Sequence, residues 1–419
     1  MKSFIKIILI IFFYMVVIFS QTYPPATEIW SEPVRVDSLD DKFISEGYPS
    51  LPNDFTKLIL QKATMVSVSY KIDTLWSLPL PLNNNINNGS PVRNPNINRY
   101  GNRLFFCRWG GYGGWDLWYC EWDTTLNDWG PSVNLGPSIN GPGVDYFAYE
   151  LSKDTLYCIN NRWASLGICI YVKNSISNQW EIIDSSDYNH PFGMGNIRGL
   201  SITGDRRKAY FSRYITLSSA SLQSELYVTF WDTLNSRWGE VFELNINSHA
   251  YQPDTTNNFY WIGGWDEYPW ISPNGKLLFF HSNRDVARED TITAPDIYMS
   301  VLLIDENGNP VSVKDLPDIK SIIKDFLLLQ NYPNPFNSTT NIRFYLPVSD
   351  KVSLTVFDIL GKEIAKPINN KTINAGWHEY KLSIDSSGIG NLHQISSGIY
   401  IYRLETSTGA ISKKLIVMK

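Results

Sequence analysis

The chain has 419 residues, with 41 acidic and 36 basic side chains and a formal net charge of −5. It has no basic run, which argues against nucleic acid as a partner, because phosphate contacts need clustered Lys and Arg. With 14% aromatic and 18% charged residues, 15 Trp, 27 Gly and 23 Pro, it can build a large core but is punctuated too often for long helices, so an all-β fold is expected.

At the N-terminus, Lys2 and Lys6 precede an unbroken apolar run of thirteen residues, Ile7 to Phe19, and the small Ser20 stands ahead of Gln21. That is the layout of a secretory signal peptide, residues 1–20. A membrane helix needs about 20 apolar residues, and no later run is long and apolar enough. The expected mature chain starts near Gln21 without a transmembrane segment and enters the periplasm of a bacterium with two membranes.

A repeat organises residues 30–316. Trp recurs at 30, 76, 129, 180 and 238, and six places on stand Val36, Leu82, Leu135, Ser186 and Leu244. Between these lies a second pattern, clearest in Glu267-Tyr268-Pro269-Trp270-Ile271 with Lys276 to Phe280, and degenerate at Tyr48-Pro49, Asn94-Pro95, Leu151-Ser152 and Ile202-Thr203. Repeats of about 40 to 50 residues with four short strands each are the mark of propeller blades, since one blade cannot bury both faces alone. Five copies predict a five-bladed β-propeller over residues 28–316. The pattern resembles the propeller repeats of the Tol-system periplasmic protein, which are of the WD-repeat-like kind. The outer strand of the last blade is expected from Trp30 to Val36, with Pro310 to Asp315 as the competitor that lacks the Trp.

Cys107 and Cys158, and Cys120 and Cys169, sit 51 and 49 residues apart, so two consecutive blades each carry one Cys on the second strand and one on the third. Such neighbours can meet within the roughly 5.5 Å between Cα atoms that a disulfide needs, and export favours oxidation; buried thiols are the other reading. The connections between second and third strands, and between blades, are long, while those on the opposite side are tight. Long loops on one side of a rigid scaffold are where binding or catalysis usually sits. Two of them share a signature: Trp109-Gly110-Gly111-Tyr112-Gly113-Gly114-Trp115-Asp116 and Trp261-Ile262-Gly263-Gly264-Trp265-Asp266. Trp109, Tyr112, Trp115, Trp261 and Trp265 are therefore candidates for stacking on a glycan or on apolar groups of a protein ligand, unless the rings fold into the core. Trp118, Trp122 and the strand-opening Trp residues are expected in the core.

A propeller glycoside hydrolase would need two or three carboxylates on the innermost strands. The position of Glu267 aligns with Gly47, Arg93, Phe147 and Arg198, and the carboxylates nearby are Glu46, Asp145, Asp266 and Glu267. Asp145 and Glu267 are the alternative catalytic candidates. His190, His249 and His281 are isolated, so no metal site is expected, and no phosphate loop or nucleophile elbow occurs in the repeat region, so neither cofactor nor nucleophile is.

Beyond an expected linker at 317–325, residues 326–419 alternate apolar and polar positions in strand period, with Pro, Asn and Gly turns between. Asn331-Tyr332-Pro333-Asn334-Pro335-Phe336-Asn337 opens the segment. Val352 to Asp358 with Gly361, then Gly376-Trp377, Gly398-Ile399-Tyr400 and Lys413-Lys414-Leu415-Ile416 follow. In that order they resemble the C-terminal sorting domain (type A) of type IX secretion cargo. Ser338 stands where many members carry Pro, and Asp385 to Ser396 is longer than usual. The resemblance implies a small Ig-like β-sandwich recognised by the type IX machinery. It also implies export to the outer surface or medium and, usually, removal of the tail on arrival. Together these readings predict a non-catalytic, exported binding protein.

Overall fold

The computed structural model describes residues 28–36, 39, 46–72, 75–160, 167–185, 192, 197–218, 221–248, 252–253, 261–262, 265–284, 295–312, 314, 326–384 and 395–418. The expected signal peptide, the 317–325 linker and much of the long loops lie outside the described residues, as do the side chain of Trp261, His190 and His249. Among the described residues every named element is a strand, and no helix is long and apolar enough to cross a membrane. The all-β expectation holds.

Five antiparallel sheets follow one another along the chain. Their innermost strands are Glu46–Ser50, Val92–Ile97, Asp145–Ser152, Ile197–Ile202 and Asp266–Ile271. Each of these touches its counterpart in the next sheet, and the last touches the first. The result is a ring around one axis. Each second strand is strongly apolar: Leu58, Ile59 and Leu60 in the first sheet and Leu277 to Phe280 in the fifth are fully buried. A strand covered on both faces reads as a continuous apolar run rather than an alternation.

The ring closes through the N-terminus. Trp30 faces Leu302, Val34 faces Met299 and Arg35 faces Tyr298, so two short strands, Ile29–Trp30 and Val34–Arg35, edge the strand Asp296–Ile304. Pro310 adds only an isolated bridge to Ile304. Beside Trp30, the Glu28 carboxylate is 1% exposed and accepts from Lys208 Nζ at 2.7 Å, Tyr210 OH at 2.7 Å and Trp30 Nε1 at 3.2 Å. This clasp ties the fifth sheet to the fourth.

Trp30, Trp76, Trp129 and Trp238 are buried, whereas Trp180 is half-buried, with Lys173 5.8 Å above its ring. The difference is one of edges: the strand Trp180–Ser185 is otherwise mostly exposed, so its Trp has less to pack against. Trp118 and Trp122, expected in the core, are also half-buried. Long cations cover them: Arg108 lies 5.1 Å from the first ring and Lys57 4.7 Å from the second.

Cys107, Cys120, Cys158 and Cys169 are buried, and no disulfide joins them in the structure. Cys107 faces Leu117 while Cys120 faces Leu104, and the two side chains enter different core clusters. Alternating strand faces separate them. Cys158 and Cys169 are direct cross-strand partners.

The tail packs a three-stranded sheet of Leu327–Leu328, Thr339–Leu346 and Gly376–Ser383 against a four-stranded sheet of Glu363–Ile373, Asp350–Asp358, Gly398–Glu405 and Ala410–Val417. Ile342, Phe344, Val352, Leu354 and Val356 fill the space between them. Its opening motif is structural. Asn331 is 2% exposed, its N–H donates to Tyr402 OH at 2.8 Å, and its side-chain amide donates to Thr340 Oγ1 at 2.9 Å and Pro333 O at 3.1 Å. Phe336 is buried. Gly361 and Gly376 take φ of 82° and 114°, the region that favours glycine. Leu327, Leu329 and Tyr345 share one apolar cluster with Leu303, Ile304 and Val311 of the ring, and Lys413 pairs with Glu32.

Candidate functional site

All five inner strands slip register at the same level. The last regular pairs before the slip are Gly47 with Gln61, Arg93 with Cys107, Asp145 with Asn160, Arg198 with Ser212 and Glu267 with His281. In four of the strands the next residue has positive φ: Tyr48 at 58°, Asn94 at 53°, Gly199 at 62° and Tyr268 at 52°. A β-bulge inserts a residue and re-aims its neighbours. Its recurrence sets one layer around the axis: Gly47, Arg93, Asp145, Arg198, Glu267. This corrects the sequence alignment, in which Phe147 stood where the structure has Asp145. The third strand differs from the others in carrying a second register slip, between Glu150 and Ser152.

The layer alternates cation and anion around the ring. Glu267 is 5% exposed and Asp145 2% exposed, while Arg93 is exposed and Arg198 half-buried. The Arg198 guanidinium lies 4.5 Å from the Tyr146 ring and 4.9 Å from Tyr214. Arg93 lies 4.7 Å over Trp115, which meets Trp109 edge-on at 5.7 Å. Gly141 N donates to Asp145 Oδ2 at 2.8 Å. His281 Nε2 lies 3.4 Å from Glu267 Oε2, and the His281 ring is boxed by Tyr48 and Tyr268, with centroids at 5.2 and 5.4 Å. At Gly47 a Cβ would come within 2.9 Å of His281 Nδ1, so the smallest residue is required there.

Burial pushes the Glu267 carboxyl upward, but His281, the Arg198 charge and the Tyr214 hydroxyl outweigh it and hold the group below the usual glutamate value. Its Oε1 and the Nη1 of Arg198 are nevertheless buried without a hydrogen-bond partner. Burial also raises the Tyr214 hydroxyl, helped by Glu267 and opposed by Arg198.

Trp109 and Tyr112 are 58% and 56% exposed, and Trp115 is half-buried. Their loop is pinned by Asp116, which is fully buried and accepts from Tyr112 N at 2.8 Å, Gly113 N at 3.2 Å and Asn134 Nδ2 at 2.9 Å. In the second signature, Asp266 accepts from Ser248 N at 2.6 Å and Arg284 Nη2 at 2.5 Å. Trp265 is half-buried, its N–H donating to Asn283 Oδ1 at 3.0 Å. The structure therefore joins Trp109 and Trp115 to the central layer through Arg93. On the opposite side the axis holds a cavity of about 20 Å³, lined from all five sheets by residues including Leu51, Asn96, Tyr149, Ser201 and Trp270. That is room for about one water.

Sequence reasoning missed Tyr146, Tyr214 and His281 as members of the centre. It also missed a set of Asn clamps. Asn140 Oδ1 accepts from Leu117 N at 2.8 Å and its Nδ2 donates to Leu117 O at 3.0 Å; Asn247 holds Leu226 likewise, Asn87 holds Val66 and Asn245 holds Trp30. A signal was present: Asn87 and Asn140 each fall eleven residues after a repeat Trp. Among the described residues no three His, Cys, Asp or Glu side chains gather in a way that could hold a metal ion.

Residues 330–418 match the family described as the secretion system C-terminal sorting domain. The tail is thus a type IX sorting domain, which marks the chain for the secretion machinery and for export to the cell surface or medium. A comparison with curated proteins found no match. Among solved structures the chain is similar to TolB from Acinetobacter baumannii, at 12% identity and TM-score 0.34 over 62% of this chain and 54% of that one. It is also similar to a GH43 endo-arabinanase from Bacillus licheniformis, at 14% identity and TM-score 0.39 over 65% and 98% of the two chains. A family 43 arabinoxylan arabinofuranohydrolase from Bacillus subtilis gives 11% identity and TM-score 0.42 over 94% and 99%. The chain spans about half the length of the Acinetobacter protein.

Proposed function

We propose that this exported chain is a binding protein. Residues 28–316 are read as a five-bladed β-propeller and residues 326–419 as an Ig-like sandwich beyond a linker at 317–325. The long-loop side of the propeller is read as its binding face for a glycan or protein ligand. The observation that carries the reading is the run from exposed Trp109 through Trp115 to Arg93 and the central layer. It sets an aromatic and cationic surface beside the axis, on the side where the long loops emerge. Tyr112 and Trp265 belong to the same face, and Trp261 is assigned to it from the shared signature.

The second reading, a glycoside hydrolase, draws on Asp145 and Glu267 occupying equivalent positions in the bulge layer. Acid catalysis by a carboxyl requires a raised pKa, and Glu267 is shifted the other way, which suits a nucleophile or base and speaks against Glu267 only as the acid. The test is a polysaccharide and glycan-array binding assay on residues 21–419 alongside a screen for glycosidase turnover. Binding without turnover is the expected result. Turnover abolished by Asp145→Asn or Glu267→Gln would instead establish the enzyme.

A further inference from the structure

We infer that the bulge layer is the seat of an uncharged, polyhydroxylated ligand, one residue of a neutral saccharide, held between Arg198 and Glu267 and flanked by tyrosine rings. This rests on the proposed binding face and names the ligand class that its centre selects.

Charge balance is the first reason. Two arginines and two carboxylates alternate around the layer, Arg93, Asp145, Arg198 and Glu267, so an anionic ligand drawn to either arginine also meets a buried carboxylate, and a cation meets the converse. Valence is the second. Glu267 Oε1 is an acceptor and Arg198 Nη1 a donor, and both lack partners in a buried setting. Buried polar groups are normally satisfied, and orphans point to a missing water or ligand. A hydroxyl both donates and accepts, so sugar hydroxyls can answer either group, whereas a carboxylate answers only the donor and an ammonium only the acceptor. The walls are the third reason. Tyr146 and Tyr214 stack on the Arg198 guanidinium and are only half-buried, leaving aromatic surface for the apolar face of a sugar ring. His281, boxed by Tyr48 and Tyr268, fixes Glu267 through Oε2 and leaves Oε1 available.

The experiment applies residues 21–419 to an immobilised panel of neutral, uronate-bearing and sulfated oligosaccharides. It includes Glu267→Gln, Asp145→Asn and, as a rim control, Trp109→Ala, with circular dichroism as the check on folding. Neutral members should be retained by the wild-type chain, and Glu267→Gln should weaken them by about ten- to a hundredfold, the scale of a lost hydrogen bond to a charged group. Selectivity of the wild-type chain among the three classes decides the matter even if the variants fail to fold. Retention confined to uronate-bearing or sulfated members, or no retention of any saccharide, overturns the inference. Retention of neutral members unchanged in both folded carboxylate variants overturns it too. If Trp109→Ala alone abolishes binding, the central seat falls while the binding face stands. If a protein ligand binds and no saccharide does, the seat again falls and the binding-protein reading survives.

Discussion

Glu267 shows how a buried carboxylate is kept ionised by its surroundings rather than by water. Replacing it with Gln should lower stability by about 1 to 3 kcal/mol, read as a fall in the urea midpoint, because Arg198 and His281 lose the charge they face. The effect carries a pH signature. Since the folded-state pKa lies below the ordinary value, the unfolded chain binds more protons between the two. The stabilisation is complete above the unfolded glutamate pKa of about 4.3 and is lost as pH falls through the folded value. The gap between wild type and Glu267→Gln should therefore narrow in acid, and a gap that stays constant from neutral pH to pH 3 would refute the assignment. Among the Trp residues, Trp109 is exposed, so Trp109→Ala should move the melting temperature by no more than a few degrees while weakening ligand retention.

Strands in this chain are held as much by side-chain amides as by sheet ladders. Asn140 satisfies both backbone groups of Leu117 at a position where neither can reach water, since Leu117 is fully buried. Each orphaned group costs about 1 to 3 kcal/mol, so Asn140→Ala should cost roughly 2 to 4 kcal/mol by urea titration, and Asn87→Ala, whose partner Val66 is equally buried, should cost about as much. A much smaller loss at Asn87 would mean that burial of the clamped backbone does not set the energy. The closing strand makes a parallel case. Trp30 is 1% exposed, faces Leu302 and stacks edge-on with Tyr210 at 5.9 Å. Trp30→Ala should cost about 3 to 5 kcal/mol and, because the ring closes there, should raise proteolysis of the fifth sheet before that of the third.

Across the whole molecule the ring and the tail share apolar side chains. Leu329 and Tyr345 of the tail pack in the cluster that contains Leu303, Ile304 and Val311, so Leu329→Ala should cost about 2 to 5 kcal/mol and lower the melting of both parts. A change confined to the tail, by calorimetry, would show that the packing is not shared. The address is separable from the ligand chemistry. Deleting residues 330–419 should leave the chain in the periplasm, and its continued appearance on the surface, by fractionation and immunoblotting, would count against the tail as the export signal.

The strand periods, the recurrent Trp and the sorting motif were all legible in the sequence because each is local. Alternation reports burial along a strand, and the opening motif of the tail is a run of contiguous residues whose Asn331 and Phe336 both turn inward. The faces on which the cysteines stand and the central layer were not. Cys107 and Cys120 stand on opposing faces because the register pairs each with a leucine, and register follows from pairing rather than from spacing. Asp145 stands at the level of Glu267 because of where the register slips in its strand, which carries a second slip between Glu150 and Ser152, and such slips leave no mark in composition. Five segments, the most distant more than two hundred residues apart in sequence, place their charges around one axis only once the ring has closed. The Trp repeat pointed to Trp30 as the closing strand, but its pairing with Leu302 is a long-range contact whose register only the folded ring fixes.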